Sequence, residues 1–261
     1  MPQRVVMFSG GIGSWAAAKR SAERHGTAGL TLLFCDTKTE DADTYRFLAD
    51  AAANIGVPLV TLAEGRSIWE VFKDERYLGN TRVDLCSRIL KRELADRWLT
   101  AHHDPATTEV IVGIDWSEEH RFTRLAERKL PWVYVAPLCE PPLLTKTEMH
   151  RWAAREGLRK QRLYRLGAAH ANCGGGCIKM GIGGFARLYH AWPERFAEWE
   201  ANEERLREDL GDVSILRERG GGVTVPLTLR SLRTRLEADA QVDLFDIGGC
   251  GCFVDADEVI A

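Results

Sequence analysis

The sequence lacks the features that would direct a chain into or across a membrane. Its N-terminus passes from Met1 into the apolar run at residues 5–8, without the charged region, long hydrophobic region and cleavage site of a secretory signal. No segment approaches the length of a membrane span. We therefore expect a cytoplasmic protein with no membrane partner, in a compartment where thiols stay reduced.

A large excess of positive charge is also absent. The 261 residues have a net charge of −3 at pH 7, so no global field favours nonspecific binding to nucleic acid or to a membrane surface. Any polyanion must then be held by local clusters, most of which are expected to be solvated helix faces. Such clusters occur at Arg88, Lys91 and Arg92, at Arg121, Arg124, Arg128 and Lys129, and from Arg155 to Arg165.

Disulfides are not needed to stabilise a chain of this kind. With 45% hydrophobic residues it can bury a substantial core. Its seven cysteines, in a reducing compartment, indicate metal or redox chemistry instead.

Short β-rich runs alternate with helix-length amphipathic segments in the first half. Strands are predicted at residues 4–8, 30–35, 58–62, 110–113 and 132–136, and helices at residues 14–25 and 41–56. The strands are nearly continuous apolar runs, as in a parallel sheet covered on both faces. This pattern predicts an α/β fold with about five parallel strands covered by helices, and a ligand at their carboxyl ends.

The alternation stops near residue 141, where helical signals begin. Residues 145–156 open with Thr145-Lys146-Thr147-Glu148, the pattern of a capping box, and residues 193–210 form a charged amphipathic segment. Two Gly-Cys segments lie at residues 173–184 and 248–252. We predict a nucleotide-binding α/β domain at residues 1–140 and a helical C-terminal lobe with cysteine clusters at residues 141–261.

The segment Ser-Gly-Gly-Ile-Gly-Ser, residues 9–14, follows the first strand and opens the first helix. Backbone N–H groups of Gly10, Gly11 and Gly13 and the positive end of the helix favour an anion, and the hydroxyls of Ser9 and Ser14 add donors. The segment has neither the lysine of a Walker A loop nor the spacing of the dinucleotide fingerprint. A glycine turn used only for tight packing is the alternative interpretation.

This turn resembles the Ser-Gly-Gly-x-Asp-Ser signature of the pyrophosphate-loop, or adenine nucleotide α-hydrolase-like, superfamily. The resemblance implies that the turn holds an adenine nucleotide's phosphates. Gly13 stands where the ATP-cleaving members carry the aspartate that helps to organise magnesium and pyrophosphate. This departure disfavours ATP cleavage and favours the sulfonucleotide reductase branch.

Further segments resemble the phosphoadenylylsulfate (PAPS) reductase-like family and follow the family's order. Residues 34–37 and 43–47 are similar to its second strand ending in Asp-Thr and the helix that follows, which implies that Asp36 and Thr37 lie beside the nucleotide. Helix capping is the alternative for Asp36. Residues 113–121 resemble the region that closes over the nucleotide, which implies roles for Gly113 and Arg121.

Residues 86–91, Cys-Ser-Arg-Ile-Leu-Lys, resemble the family segment whose basic residues hold the substrate's phosphate or sulfate. Arg88 and Lys91 are three apart and would share one face of a helix. With Arg121 they would neutralise the anionic group that reacts or leaves. Residues 163–167 resemble the Leu-Tyr-x-x-Gly that precedes the family's second cysteine cluster.

Cys173 and Cys177 flank three glycines, on a loop that we expect to be flexible enough to wrap a soft metal. Cys250 offers a further thiolate, and the resemblance adds Cys86 as a cluster ligand. Three or four thiolates suit an iron–sulfur cluster or tetrahedral zinc. Metal-free redox or structural thiols remain an alternative.

The tail cysteines have a second interpretation. Sulfonucleotide reductases keep a C-terminal cysteine that attacks the sulfate sulfur, which implies that Cys252, or else Cys250, is the nucleophile, with a thioredoxin-like protein as reductant. Cys35 and Cys139 lie in apolar, strand-like settings and are expected to be buried. His170 is expected to be a packing or surface residue rather than a metal ligand.

Together these features predict a PAPS reductase-like oxidoreductase. Its ligand is PAPS, adenylylsulfate or ATP, which all share adenosine and an α-phosphate. One alternative is an ATP-dependent sulfurtransferase that thiolates nucleic acid, and another is a nucleotide- or metal-sensing protein without turnover.

Overall fold

The computed structural model describes residues 2–78, 84–220 and 223–248. Five strands in it form one parallel sheet in the order β3-β2-β1-β4-β5. The strands are β1 (Gln3–Met7), β2 (Leu30–Asp36), β3 (Leu59–Ala63), β4 (Thr108–Ile111) and β5 (Val133–Val135). The predicted α/β fold with a five-stranded parallel sheet is therefore confirmed.

The order of the strands reverses beside β1. The chain builds β2 and β3 on one side of β1 and then returns to place β4 and β5 on the other side. The connections after β1 and β4 leave the sheet in opposite directions, which opens a crevice at the carboxyl ends of these two strands.

Helices cover the sheet and recur through the second half of the chain. They are α1 (Ile12–His25), α2 (Ala42–Ile55), α3 (Ile68–Asp74), α4 (Leu85–Ser87), α5 (Glu93–His102), α6 (Glu119–Arg128), α7 (Lys146–Arg155), α8 (Arg162–Arg165), α9 (Ile182–Ala191), α10 (Pro193–Leu210) and α11 (Leu229–Glu237). A π-helical turn, Arg88–Arg92, joins α4 to α5. No helix in the described ranges has the length and apolar character needed to cross a membrane.

Alternate side chains of the strands enter two different cores. Val6 in β1 packs with Trp15 of α1, Phe47 of α2 and Met149 of α7 on one face. On the other face, Val5 packs in a second core, together with side chains of β2, α5 and α6. Burial on both faces explains why the strands read as unbroken apolar runs.

A third core lies in the C-terminal part, where Phe185 of α9 and Trp199 of α10 meet Phe72 of α3. Residues before and after residue 140 thus pack in the same cores. Met149 of α7 likewise belongs to the core that contains α1. The predicted capping box at the start of α7 is present, with Thr145 and Glu148 exchanging hydrogen bonds.

The C-terminal part also contains an antiparallel hairpin, β6 (Leu216–Gly220) and β7 (Val223–Leu227), which the sequence analysis did not predict. The predicted helical lobe thus contains one short hairpin in addition to its helices. Val223 and Val225 are 61% and 45% exposed, so β7 lacks the buried apolar face from which a strand is recognised.

Candidate functional site

The turn at residues 9–14 connects β1 to α1 at the crevice where the strand order reverses. Gly10 has a φ of 75°, and a Cβ there would lie 3.0 Å from the Cγ2 atom of Thr44. The left-handed backbone and the close neighbour both require glycine at this position. The side-chain amide of Gln161 donates to the carbonyl of Gly10 at 2.7 Å and holds the turn in place.

Gly13 lies against the backbone of Gly113, which follows β4. A Cβ on Gly13 would lie 2.8 Å from the carbonyl oxygen of Gly113, and a Cβ on Gly113 would lie 2.6 Å from the nitrogen of Ser14. Both distances are too short for a side chain. The fold thus gives a steric reason for the absence of a carboxylate at residue 13.

The hydrogen bonds of the turn leave backbone donors open at the start of α1. The N–H of Gly11 reaches the hydroxyl of Ser9 at 3.4 Å, and the N–H of Ile12 donates to the hydroxyl of Tyr164 at 3.2 Å. The N–H groups of Gly13 and Ser14 have no acceptor within residues 2–78, 84–220 and 223–248. These donors lie at the positive end of α1, where an anion is stabilised.

The turn forms one wall of an open cleft of about 260 Å³, near the lower limit of about 300 Å³ for small-molecule sites. Two cationic side chains, Arg121 and Lys146, line the same cleft, as do the carboxylates of Asp115 and Glu118. Arg121 forms an ion pair with Glu118. The cleft therefore combines open backbone donors with positive side chains, which suits a phosphate group.

The predicted nucleotide-binding residues divide into two sets. Those that line the cleft are Ser9, Gly11, Gly13, Ser14 and Gly113, and Arg121, predicted as a catalytic residue, lines it too. Gly10 belongs to the same turn but is not among the lining residues. Asp36 lies elsewhere and accepts hydrogen bonds from the hydroxyl of Tyr45 at 2.6 Å and the N–H of Lys38 at 2.8 Å. Thr37 is buried beside the cysteines. Neither Asp36 nor Thr37 lines the cleft that contains the turn at residues 9–14.

Arg88 and Lys91 do not share a face, contrary to expectation. They belong to the π-helical turn, whose i to i+5 hydrogen bonds widen the helix so that side chains three apart no longer align. The Lys91 side chain is 5% exposed, with its Nζ 3.7 Å from Glu40, whereas that of Arg88 is 49% exposed. Neither lines the cleft that contains Arg121.

Cys86, Cys173 and Cys177 line one small cavity of about 20 Å³. All three are thiols rather than disulfides. In the described part of the chain, no three His, Cys, Asp or Glu side chains are arranged to hold a metal ion. Cys250 and Cys252 lie outside the described residues. The three predicted ligands therefore face a common cavity without forming a closed ligand set.

Buried charges surround this cavity and are paired with one another. Glu40 accepts the backbone N–H of Cys173 at 2.5 Å and lies near Lys91. Asp84 accepts two hydrogen bonds from Arg92, at 2.9 and 2.8 Å. The backbone N–H of Lys179 donates to the sulfur of Cys177 at 3.4 Å.

The three glycines between Cys173 and Cys177, expected to form a flexible loop, are tightly packed. A Cβ on Gly174 would lie 2.0 Å from the Nη2 atom of Arg195, and one on Gly176 would lie 2.2 Å from the Trp199 ring. The glycines allow other side chains to approach the backbone closely, and they hold the two cysteines in fixed positions.

The last described residues lie beside this cysteine segment. Gly248 forms an antiparallel bridge with Met180, and the N–H of Gly181 donates to the carbonyl of Ile247 at 3.1 Å. Met180 follows Cys177 by three residues. The chain therefore leaves the described region close to the cysteine cavity.

The remaining predicted residues behave as follows. Cys35 is buried, as expected, and burial raises its pKa to about 12, so it stays a neutral thiol. Cys139 is only partly buried, and burial raises its pKa to about 11. His170 lines the phosphate cleft, with its Nδ1 3.4 Å from the N–H of Asn172.

Sequence reasoning assigned no role to Tyr164 or Lys146, although both line the cleft. Tyr164 belongs to the Leu-Tyr-x-x-Gly segment, which was a signal for the family but not for contact with the turn. Lys146 is the first residue of α7 and was recognised only as part of the capping box. The cleft thus collects residues from both halves of the chain.

No family profile and no curated protein matches the sequence. Among solved structures, phosphoadenylyl-sulfate (PAPS) reductase from Candida auris, in a phosphate complex, is similar over 64% of this chain and 79% of its own. The TM-score is 0.45 and the sequence identity is 15%.

Proposed function

We propose that this protein is an enzyme of sulfur chemistry that binds an adenine nucleotide in the cleft, and that it reduces a sulfonucleotide with thiols. The observation that carries the proposal is the pair of open N–H groups on Gly13 and Ser14, at the start of α1 and at the crevice of the sheet. Phosphate is the natural ligand of such donors.

The cationic side chains of the cleft support the same ligand. Arg121 and Lys146 lie on the walls adjoining the turn. In the proposed reaction they neutralise the phosphate and the negative charge that develops on the departing nucleotide.

The contact between Gly13 and Gly113 supports a sulfonucleotide rather than ATP as the reacting substrate. It leaves no space at residue 13 for the carboxylate that organises magnesium and pyrophosphate in the ATP-cleaving relatives. In-line cleavage of ATP needs the leaving pyrophosphate held in place. An ATP-dependent sulfurtransferase acting on nucleic acid is therefore the less favoured function.

The proposed chemistry uses one protein thiolate and one external dithiol. The thiolate of Cys252, which lies outside the described residues, attacks the sulfate sulfur of PAPS or adenylylsulfate and forms an S-sulfonated cysteine as the sulfur–oxygen bond to the nucleotide breaks. One thiolate of a thioredoxin-like dithiol then attacks the cysteine sulfur and displaces sulfite. The second thiol closes the disulfide in the reductant and regenerates the enzyme thiol.

The thiols of Cys86, Cys173 and Cys177 have the donor chemistry that an iron–sulfur cluster or zinc prefers. In the proposal Cys250 adds the fourth thiolate, and Gly248 beside Met180 brings the chain near the cavity. No step of the reaction is derived through the metal.

The experiment measures sulfite release from PAPS and adenylylsulfate with a dithiol, against pyrophosphate release from ATP. We expect sulfite release to be faster and to be lost in either Cys252→Ser or Cys250→Ser, whichever removes the nucleophile. Pyrophosphate release that is stimulated by RNA or DNA and insensitive to both substitutions would contradict the proposal in favour of the sulfurtransferase.

A further inference from the structure

The first N–H of α1 has a side-chain partner from the far half of the chain. The hydroxyl of Tyr164 lies 3.2 Å from the nitrogen of Ile12, although the two residues are 152 positions apart. The first N–H groups of a helix have no partner within the helix, and a bound anion often takes them. The phenol oxygen of Tyr164 therefore occupies a position at the start of α1 where an oxygen of a bound anion is often found.

Tyr164 is held in this position by its neighbours. Its ring packs edge-on against His150, with centroids 4.6 Å apart. Three residues earlier Gln161 donates to the carbonyl of Gly10 at 2.7 Å, and the N–H of Arg162 donates to Asp43 at 2.6 Å. The segment at residues 161–164 is thus fixed both to the turn and to the start of α2.

Gly11 of the turn lies next to the hydroxyl of Tyr164. A Cβ on Gly11 would lie 3.4 Å from the phenol oxygen of Tyr164, so this oxygen lies directly against the turn. Tyr164 lines the same cleft as Gly13, Ser14 and Arg121. Its oxygen therefore borders the space in which a phosphate would meet the open N–H groups.

We propose that Tyr164 is a phosphate-binding residue of this site. A phenol both accepts and donates, so its oxygen keeps the Ile12 N–H while its O–H donates to a phosphate oxygen. The hydroxyl thereby extends the helix N-terminus into the cleft and selects ligands that carry a phosphate. This inference rests on the proposed nucleotide site and adds a residue that discriminates between phosphorylated and unphosphorylated ligands.

The test compares AMP and adenosine binding to the full chain by calorimetry, in the wild type, Tyr164→Phe and Tyr189→Phe. Phenylalanine keeps the ring contact with His150 and removes only the hydroxyl. Tyr189 is a matched control because it also packs edge-on against a histidine, His190, at 5.1 Å, and it does not line the cleft. Thermal melting verifies that all three proteins are folded.

We expect Tyr164→Phe to weaken AMP binding about tenfold, the effect of one hydrogen bond to a charged group, and to leave adenosine binding and Tyr189→Phe at wild-type values. Equal loss of AMP and adenosine affinity would mean a structural role and would overturn the inference. So would tighter AMP binding, which would show that the hydroxyl competes with the phosphate. If the wild type binds AMP no better than adenosine, the proposed phosphate site itself fails, which distinguishes the two failures.

Discussion

Gly13 and Gly113 touch through their backbones at the carboxyl ends of β1 and β4. A single Cβ atom on Gly13 would lie 2.8 Å from the carbonyl oxygen of Gly113. The contact fixes the phosphate turn relative to the neighbouring strand and thereby sets the width of the crevice between them.

The first prediction concerns the stability of this contact. Gly13→Ala should lower the free energy of unfolding by about 1 to 3 kcal/mol, because the methyl group must displace backbone atoms. Gly11→Ala is the matched control, since its Cβ would make only ordinary contacts, the nearest at 3.4 Å. Urea unfolding measures both variants, and equal stability of the two would contradict the steric explanation.

The second prediction separates binding from folding at the same turn. Gly11→Val should abolish AMP binding, because a branched side chain extends from this position toward the hydroxyls of Tyr164 and Ser9. The far-ultraviolet circular dichroism spectrum should remain that of the wild type. Unchanged AMP affinity in a folded variant would count against the phosphate site.

The third prediction concerns the metal. Protein prepared without oxygen should be brown and contain iron and acid-labile sulfide, and serine at Cys86, Cys173 or Cys177 should bleach it. Cys139→Ser is the control, because Cys139 does not line the cavity. Stoichiometric zinc without sulfide, in protein made with ample iron, would exclude the cluster and favour structural zinc.

The fourth prediction concerns pH. Glu203 is fully buried, and burial raises the pKa of its carboxyl from 4.5 to about 7, although it accepts the backbone N–H groups of Ile215 and Leu229. The folded state binds the Glu203 proton more tightly than the unfolded state does. The stability that this proton adds to the folded state is therefore complete below about pH 4.5 and is lost as the pH rises through 7.

Between pH 5 and pH 8 the wild type should therefore lose about 2 kcal/mol more stability than Glu203→Gln, which does not titrate. Urea unfolding at several pH values measures the difference. Parallel curves for the two proteins would show that Glu203 keeps its ordinary pKa in the folded state.

The fifth prediction uses the two basic residues of the π-helical turn. Lys91→Met should lower the free energy of unfolding by about 3 kcal/mol, because it removes a buried cation that lies 3.7 Å from the buried carboxylate of Glu40. Arg88→Met should change stability by less than about 1 kcal/mol, because its ion pairs are exposed. A similar cost for both substitutions, measured by urea unfolding, would contradict this assignment.

The sequence predicted those features that depend on residues close to one another along the chain. The apolar strands, the Ser-Gly-Gly turn and the Thr145–Glu148 capping box are all local patterns, and each was predicted. The contact between Ile12 and Tyr164 joins residues 152 positions apart, so no periodicity reveals it.

Other features could not be predicted because they depend on packing. The π-helical turn that separates Arg88 from Lys91 has the sequence of an ordinary amphipathic helix. The exposed valines of β7 gave no signal of a strand. The cysteine pattern predicted a metal site at Cys173 and Cys177, and the resemblance added Cys86; the three thiols line one cavity.

The glycines at residues 174–176 have a consequence for the evolution of this protein. Each is so close to Arg195, Leu163 or Trp199 that a methyl group would overlap an existing atom. In a scan of single substitutions, these positions should tolerate change as poorly as the neighbouring cysteines, although they carry no functional group. Any lineage that replaces one of them must first alter the side chain that packs against it.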